Sequence, residues 1–203
     1  MLKNVEITNF KNFNEKFIFD LSDTNSFLFN EECIQNGIVN TGVIYGRNGC
    51  GKSNLGLAVF DLVSHLTDKE FKSEKYNNYL NADNPNIYAT FKFTFKFGEN
   101  IVEYEYTKKD NETLISEKIT INGNIYANID RDKSSIFTTS AKGAENLNND
   151  IQDSNISIVL YISKNTVLEK TIENNTFKNF IELKAAFYSE QKDESRKSVE
   201  RIY

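Results

Sequence analysis

Eight consecutive residues, Gly46-Arg47-Asn48-Gly49-Cys50-Gly51-Lys52-Ser53, constrain this chain more than any other segment. Gly46, Gly49 and Gly51 permit backbone angles and a close approach that a side chain would block. Successive N–H groups of such a turn point inward and form a concave anion site, which the positive end of the following helix reinforces. Lys52 would place an ammonium between the β- and γ-phosphates of a nucleotide. Ser53 would offer a hydroxyl to Mg²⁺, an ion that prefers oxygen ligands and keeps several waters. A Gly-containing turn can match this pattern by chance, so its surroundings decide. Residues 36–45 end in the apolar run Val43-Ile44-Tyr45, which predicts a strand entering the loop. After the loop, Leu55, Val59, Leu62, Val63 and Leu66 recur at helical spacing and predict an amphipathic helix over 52–66. Strand, glycine loop and helix together are the setting a phosphate-binding loop requires. The expected ligand is a nucleoside triphosphate with Mg²⁺.

The rest of the chain is read from its periodicity. Residues 2–8 alternate apolar and polar, Asn9 to Phe13 form a turn, and Lys16 to Leu21 alternate again, predicting a hairpin. Alternation returns at Tyr88–Phe97, Ile101–Tyr106 and Leu114–Ile121, with turns at Gly98-Glu99-Asn100, Lys109–Glu112 and Asn122-Gly123. That is an antiparallel meander with one wet face, unlike a doubly covered parallel sheet. Residues 130–155 are polar and without period, and predict a loop. From Ile156 to Tyr188 the apolar spacing suits helices, and the densely charged stretch 190–203 extends that expectation.

Composition limits the alternatives. The 203 residues allow one substantial domain or a domain with a small appendage. Hydrophobic residues are only 39%, but 16 Phe and 10 Tyr can supply core area. A net charge of −5 argues against a broad nucleic-acid surface, so DNA contact is left open but unsupported. Cys33 and Cys50 are too few for a disulfide framework or a zinc site. Cys50 reads as a small residue filling a loop position, and His65, the one histidine, as a helix residue and not a ligand. No apolar leader core or bilayer-length stretch is present, which predicts a cytoplasmic protein without membrane contact. Thr107-Lys108-Lys109-Asp110 fits a guanine-reading pattern, but its place after an alternating strand favours a hairpin turn. The four arginines, Arg47, Arg131, Arg196 and Arg201, are few for a nucleotide kinase.

The opening Ile7-Thr8-Asn9-Phe10-Lys11-Asn12-Phe13, followed by Tyr45-Gly-Arg-Asn-Gly-Cys-Gly-Lys-Ser-Asn54, resembles the start of ABC-type ATPases of the SMC, Rad50 and RecF kind. It looks closest to bacterial AAA-family ATPases with that head, which include OLD-family and abortive-infection (phage-defence) proteins. Asn54 after the loop and the Asn9-Phe10-Lys11 opening separate it from ABC transporters. The resemblance implies an α/β fold of the P-loop NTPase type: lobe I of an ABC-ATPase head with an antiparallel β-meander subdomain and C-terminal helices. Residues 1–130 would be the ATP-binding lobe, 131–155 a linker, and 156–203 the start of a helical lobe. ATP and Mg²⁺ are the implied cofactors. Gly46, Arg47, Asn48, Gly49, Cys50, Gly51, Lys52, Ser53 and Asn54 would hold the nucleotide, with Ser53 on the metal. Lys11 matches the basic residue that reaches toward the phosphates, and Gln152 is the best-placed match for the Mg²⁺-contacting glutamine.

The departures from that pattern matter equally. No segment reads as four apolar residues followed by Asp-Glu; the nearest, Phe27-Leu28-Phe29-Asn30-Glu31-Glu32, has Asn in place of Asp and precedes the loop. A Leu-Ser-Gly-Gly-like signature is also missing. Phosphoryl transfer depends on metal and water activation as well as positioning. The expectation is therefore a lobe that binds ATP but hardly hydrolyses it. Such a lobe would be an N-terminal portion, a natural truncation or one part of a larger assembly. Family heads sandwich ATP, which implies a homodimer or larger assembly. The alternatives are a non-hydrolysing, nucleotide-gated interaction module for a nuclease or toxin effector, and a GTPase.

Overall fold

The computed structural model describes residues 1–24, 30–67, 74–152 and 155–183. Its strands are β1 (Leu2–Thr8), β2 (Phe17–Asp20), β3 (Ile34–Gln35), β4 (Ile38–Val39), β5 (Ala89–Phe97), β6 (Asn100–Lys108), β7 (Leu114–Ile121), β8 (Asn124–Asp130) and β9 (Thr138–Thr139). Its helices are α1 (Lys52–Thr67), α2 (Ile158–Asn165) and α3 (residues 172–183). Seven strands form one sheet in the order β2-β1-β5-β6-β7-β8-β9, and β3 pairs with β4 as a separate hairpin. Every strand pair among the described residues is antiparallel. The chain is thus an α/β structure on an antiparallel sheet with three helices.

The predicted meander is β5 to β7, which β8 extends past the Asn122-Gly123 turn, and the predicted first hairpin is β1–β2. These do not stay apart: β1 pairs along β5, with Val5 opposite Phe93 and Ile7 opposite Phe91, which fuses hairpin and meander. Turn chemistry sets the register. Asn122 and Gly123 both take positive φ, 52° and 81°, the requirement of the tight two-residue turn whose twist matches its strands.

Alternation sorts the two faces. Val5, Ile7, Phe91, Phe93, Phe95, Tyr104, Tyr106 and Ile119 are buried beneath the helices. Fully burying each large side chain contributes roughly 2–3 kcal/mol against exposure. Phe91 stacks on Tyr106 at 5.1 Å between ring centroids, and Phe180 of α3 meets Phe95 at 5.3 Å and Tyr104 at 5.6 Å. The opposite face is polar: Lys92 pairs with Glu103 at 2.5 Å and Lys16 with Glu6. Across it the register aligns Glu6, Lys92, Glu105 and Lys118, opposite charges side by side on neighbouring strands.

The stretch expected to be a linker belongs to the core. Phe137, Ala141, Ala144 and Ile151 are buried in the same cluster as Val5 and Phe180, and β9 adds to the sheet beside β8. Packing is continuous across residues 131 and 156. Gly143 sits so close to the 167–169 segment that a Cβ there would lie 2.6 Å from the Val167 carbonyl oxygen. Buried Asn174 closes this region, accepting from the Tyr126 hydroxyl at 2.8 Å and donating to the Lys142 and Glu169 carbonyls. Residues 184–203, which include the charged helical tail expected over 190–203, lie outside the described residues. No helix among the described residues is long and apolar enough to cross a membrane.

Candidate functional site

The Gly46–Ser53 loop leads directly into α1. Gly49 and Gly51 take φ of 81° and 97°, the left-handed region in which a side chain is strained. The Gly51 carbonyl accepts the Leu55 N–H at 2.9 Å, so Gly51 caps the helix and the N–H groups of its first turn have no partner within the helix. The Lys52 ammonium folds back over the loop and donates to the carbonyls of Gly46 and Arg47, both at 2.8 Å, with the Cys50 Sγ 3.7 Å away. Arg47, Asn48 and Cys50 are exposed, as is the Ser53 side chain on the first turn. Ser53 offers one oxygen; Mg²⁺ bound there would take its other ligands from a triphosphate and water.

The turn after β1 is built against this loop. Asn9 has φ 55° and is buried; its amide donates to the carbonyls of Asn86 at 2.6 Å and Tyr88 at 2.9 Å. Phe10 and Phe13 are core residues, and Phe10 meets Tyr79 and Phe91 edge-on at 5.0 and 5.1 Å. Lys11, also at positive φ, sends its ammonium to the Asn77 carbonyl at 2.9 Å and not to the glycine loop. The residue of this turn that does touch the loop is Asn12. Its Oδ1 accepts from Asn54 Nδ2 at 2.6 Å, and its carboxamide lies against Gly51.

Beneath the loop, α1 is fastened by buried charge. Asp61 accepts from the hydroxyls of Tyr79 at 3.0 Å and Tyr106 at 2.9 Å, and from Lys108 Nζ at 3.2 Å. Burial, and next the Asp61 charge, push both phenols well above their ordinary pKa, so they remain donors. Further along the helix, His65 Nε2 lies 2.5 Å from the Tyr104 hydroxyl and 3.3 Å from Glu117. Glu117 is buried and also accepts from Tyr104 at 2.6 Å, Ser157 at 2.5 Å and the Ile158 N–H at 2.9 Å. Arg131 reaches it at 3.4 Å. His65 is therefore a core residue with hydrogen-bond partners, and Glu117 joins α1, β6, β7 and the start of α2.

Three expectations fare differently. Thr107 and Lys108 close β6, and Asp110 takes the N–H groups of Glu112 and Thr113, so this segment is the hairpin turn foreseen. Gln152 is exposed, donates to Asp150 at 3.2 Å, and lines a cleft of about 440 Å³ with Asn148, Ile151 and Tyr161, apart from the glycine loop. The strand expected to enter the loop does not form. Val43 and Tyr45 are 87% and 91% exposed and Ile44 is exposed too, because no neighbouring strand among the described residues satisfies their backbone. Of Phe27–Glu32, the string nearest to the missing pattern of four apolar residues and Asp-Glu, residues 27–29 lie outside the described residues, and Glu31–Cys33 is a 3₁₀ turn.

Asn12, Asp61, Lys108 and Glu117 are the residues that periodicity passed over. A signal exists for two of them: Lys108 is in phase with Tyr104 and Tyr106, and Glu117 with Ile119 and Ile121, which puts both charges on the dry face. No protein-family model matches the chain, and no curated protein is similar to it.

Proposed function

We propose that this chain is the MgATP-binding lobe of an SMC/Rad50-like bacterial ATPase of the phage-defence type. The observation that carries the reading is the largely exposed Gly46–Ser53 loop at the N-terminal end of a helix whose later turns are fixed in the core. Lys52 already gathers loop oxygens there, and the same ammonium would exchange those carbonyls for β- and γ-phosphate oxygens. Mg²⁺ would screen the triphosphate charge from its place beside Ser53. These groups bind and orient; a water-activating carboxylate and a signature serine would come from further sequence or from a partner head closing over the nucleotide.

The test is MgATP binding by the wild type and Lys52→Ala. Removing one charged donor should weaken affinity about tenfold to a hundredfold. Equal affinity in the two proteins refutes the site. Turnover by the chain alone should stay near background, and competition with GTP decides the GTPase alternative.

One observation favours a second reading, a nucleotide-gated interaction module that does not hydrolyse. The apolar Val43-Ile44-Tyr45 run is exposed immediately before the loop, so a bound triphosphate could order it for an effector protein. Robust hydrolysis by the assembled protein removes this reading as the main role.

A further inference from the structure

We propose that Asn12 is a positioning residue of the glycine loop, fixing the angle at which the loop enters α1; the role rests on the nucleotide reading of that loop. Two contacts converge on the junction. The Asn12 Oδ1 accepts from Asn54 Nδ2 at 2.6 Å, which ties the turn after β1 to the first turn of α1. The same carboxamide occupies the space over Gly51, where a Cβ would lie 3.0 Å from both its Cγ and its Oδ1. Gly51 is the helix cap and has φ 97°, so it is the bend between loop and helix. Asn12 thus touches the bend and the helix at once.

A positioning residue must itself be held, and Asn12 is. Its neighbours Phe10 and Phe13 exchange backbone hydrogen bonds at 3.1 and 2.8 Å and are buried in the core. The Lys11 N–H donates to the Tyr79 carbonyl at 3.0 Å, and Asn81 Nδ2 donates to the Lys11 carbonyl at 2.5 Å. The turn is a rigid block standing on the sheet, and Asn12 is the part of it that meets the loop. Holding the loop in its bound shape before ligand arrives lowers the ordering cost of binding. Lys11, one residue earlier, is turned to the Asn77 carbonyl, so charge is not what this turn presents to the loop.

The test uses the full chain in a Cys33→Ser background, which leaves Cys50 as the one thiol. Two quantities are measured for the wild type, Asn12→Ala, Asn12→Asp and Asn84→Ala. They are the affinity for a fluorescent MgATP analogue and, without nucleotide, the rate at which iodoacetamide alkylates Cys50. Asn12→Ala should weaken nucleotide binding about three- to tenfold, the worth of one neutral hydrogen bond, and speed the alkylation. Asn12→Asp keeps the acceptor for Asn54 and should restore the alkylation rate, while its charge still opposes the triphosphate. Asn84→Ala removes a clasp bond to Asn14 away from the loop; it should lower Tm and move neither quantity.

Asn12→Ala within about twofold of wild type in both quantities overturns the proposal and leaves the nucleotide reading standing. Weakened binding with unchanged alkylation overturns it too, since Asn12 would then touch nucleotide without shaping the loop. If the wild type binds no triphosphate, the nucleotide reading falls and takes the positioning role for binding with it, even where the alkylation rates show that Asn12 shapes the loop.

Discussion

At the scale of single residues, the buried carboxylate of Glu117 gives the sharpest prediction. Burial alone would raise its pKa, but the hydrogen bond and charge of His65, followed by Arg131 and Ser157, hold it at about 2 against an ordinary 4.5. A depressed pKa means that the ionised form stabilises the fold at neutral pH. That contribution is lost as pH falls from about 4.5 through about 2. At 1.36 kcal/mol per unit it amounts to about 3 kcal/mol. Urea melts of the wild type at pH 7 and pH 3 should show the decline, and Glu117→Gln should be destabilised at pH 7 with a flatter pH dependence. An unchanged midpoint in Glu117→Gln would mean that the carboxylate contributes nothing net. The clue to Glu117 was present in the sequence, because a charge in phase with Ile119 and Ile121 sits where the pattern calls for an apolar side chain. Its partners were not legible, since His65 and Ser157 come from segments brought together only by the tertiary fold.

At the scale of elements, α1 brings one buried carboxylate of its own, Asp61, to the sheet. Asp61→Asn would leave Lys108 buried beside a neutral partner and should cost about 3–5 kcal/mol. Hydrogen exchange across the amides of 52–67 should rise in parallel. Asp61→Leu with Lys108→Met removes both charges and should recover much of the loss, because well-packed apolar groups often replace a buried pair without penalty. If the double variant is no better than Asp61→Asn, the two tyrosine hydroxyls and not the ion pair hold the helix. The helix itself was easily read, since Leu55, Leu62, Val63 and Leu66 all fall on its buried face as their spacing required. The strand before it was misread for a physical reason. Val43-Ile44-Tyr45 has strand composition, but strand structure needs a paired neighbour, and composition cannot reveal whether one exists. The loop-like 130–155 stretch hid core positions because Phe137, Ala141, Ala144 and Ile151 are sparse among polar residues, and their spacing of four, three and seven belongs to a segment that folds as turns and not as a helix.

At the scale of the whole molecule, one apolar run stands outside a continuous core. Val43→Ser with Tyr45→Ser should reduce the binding of a hydrophobic dye and leave stability within about 0.5 kcal/mol, as expected for exposed positions. A large fall in Tm would instead mean that these side chains pack on the fold. The fused sheet has a further consequence, in the order of assembly. The meander β5 to β8 closes through short hairpins between successive strands. By contrast, the pairing of Thr8 with Thr90 encloses β2, β3, β4, the glycine loop and α1 in a single long excursion. Closing an excursion of that length costs on the order of 4 kcal/mol in chain entropy before any contact repays it. Local hairpins should therefore nucleate folding, with β1 docking late. The glycine loop and the Asn12 turn that braces it both lie inside that excursion. The part of the chain proposed to meet a nucleotide is thus among the last to take shape.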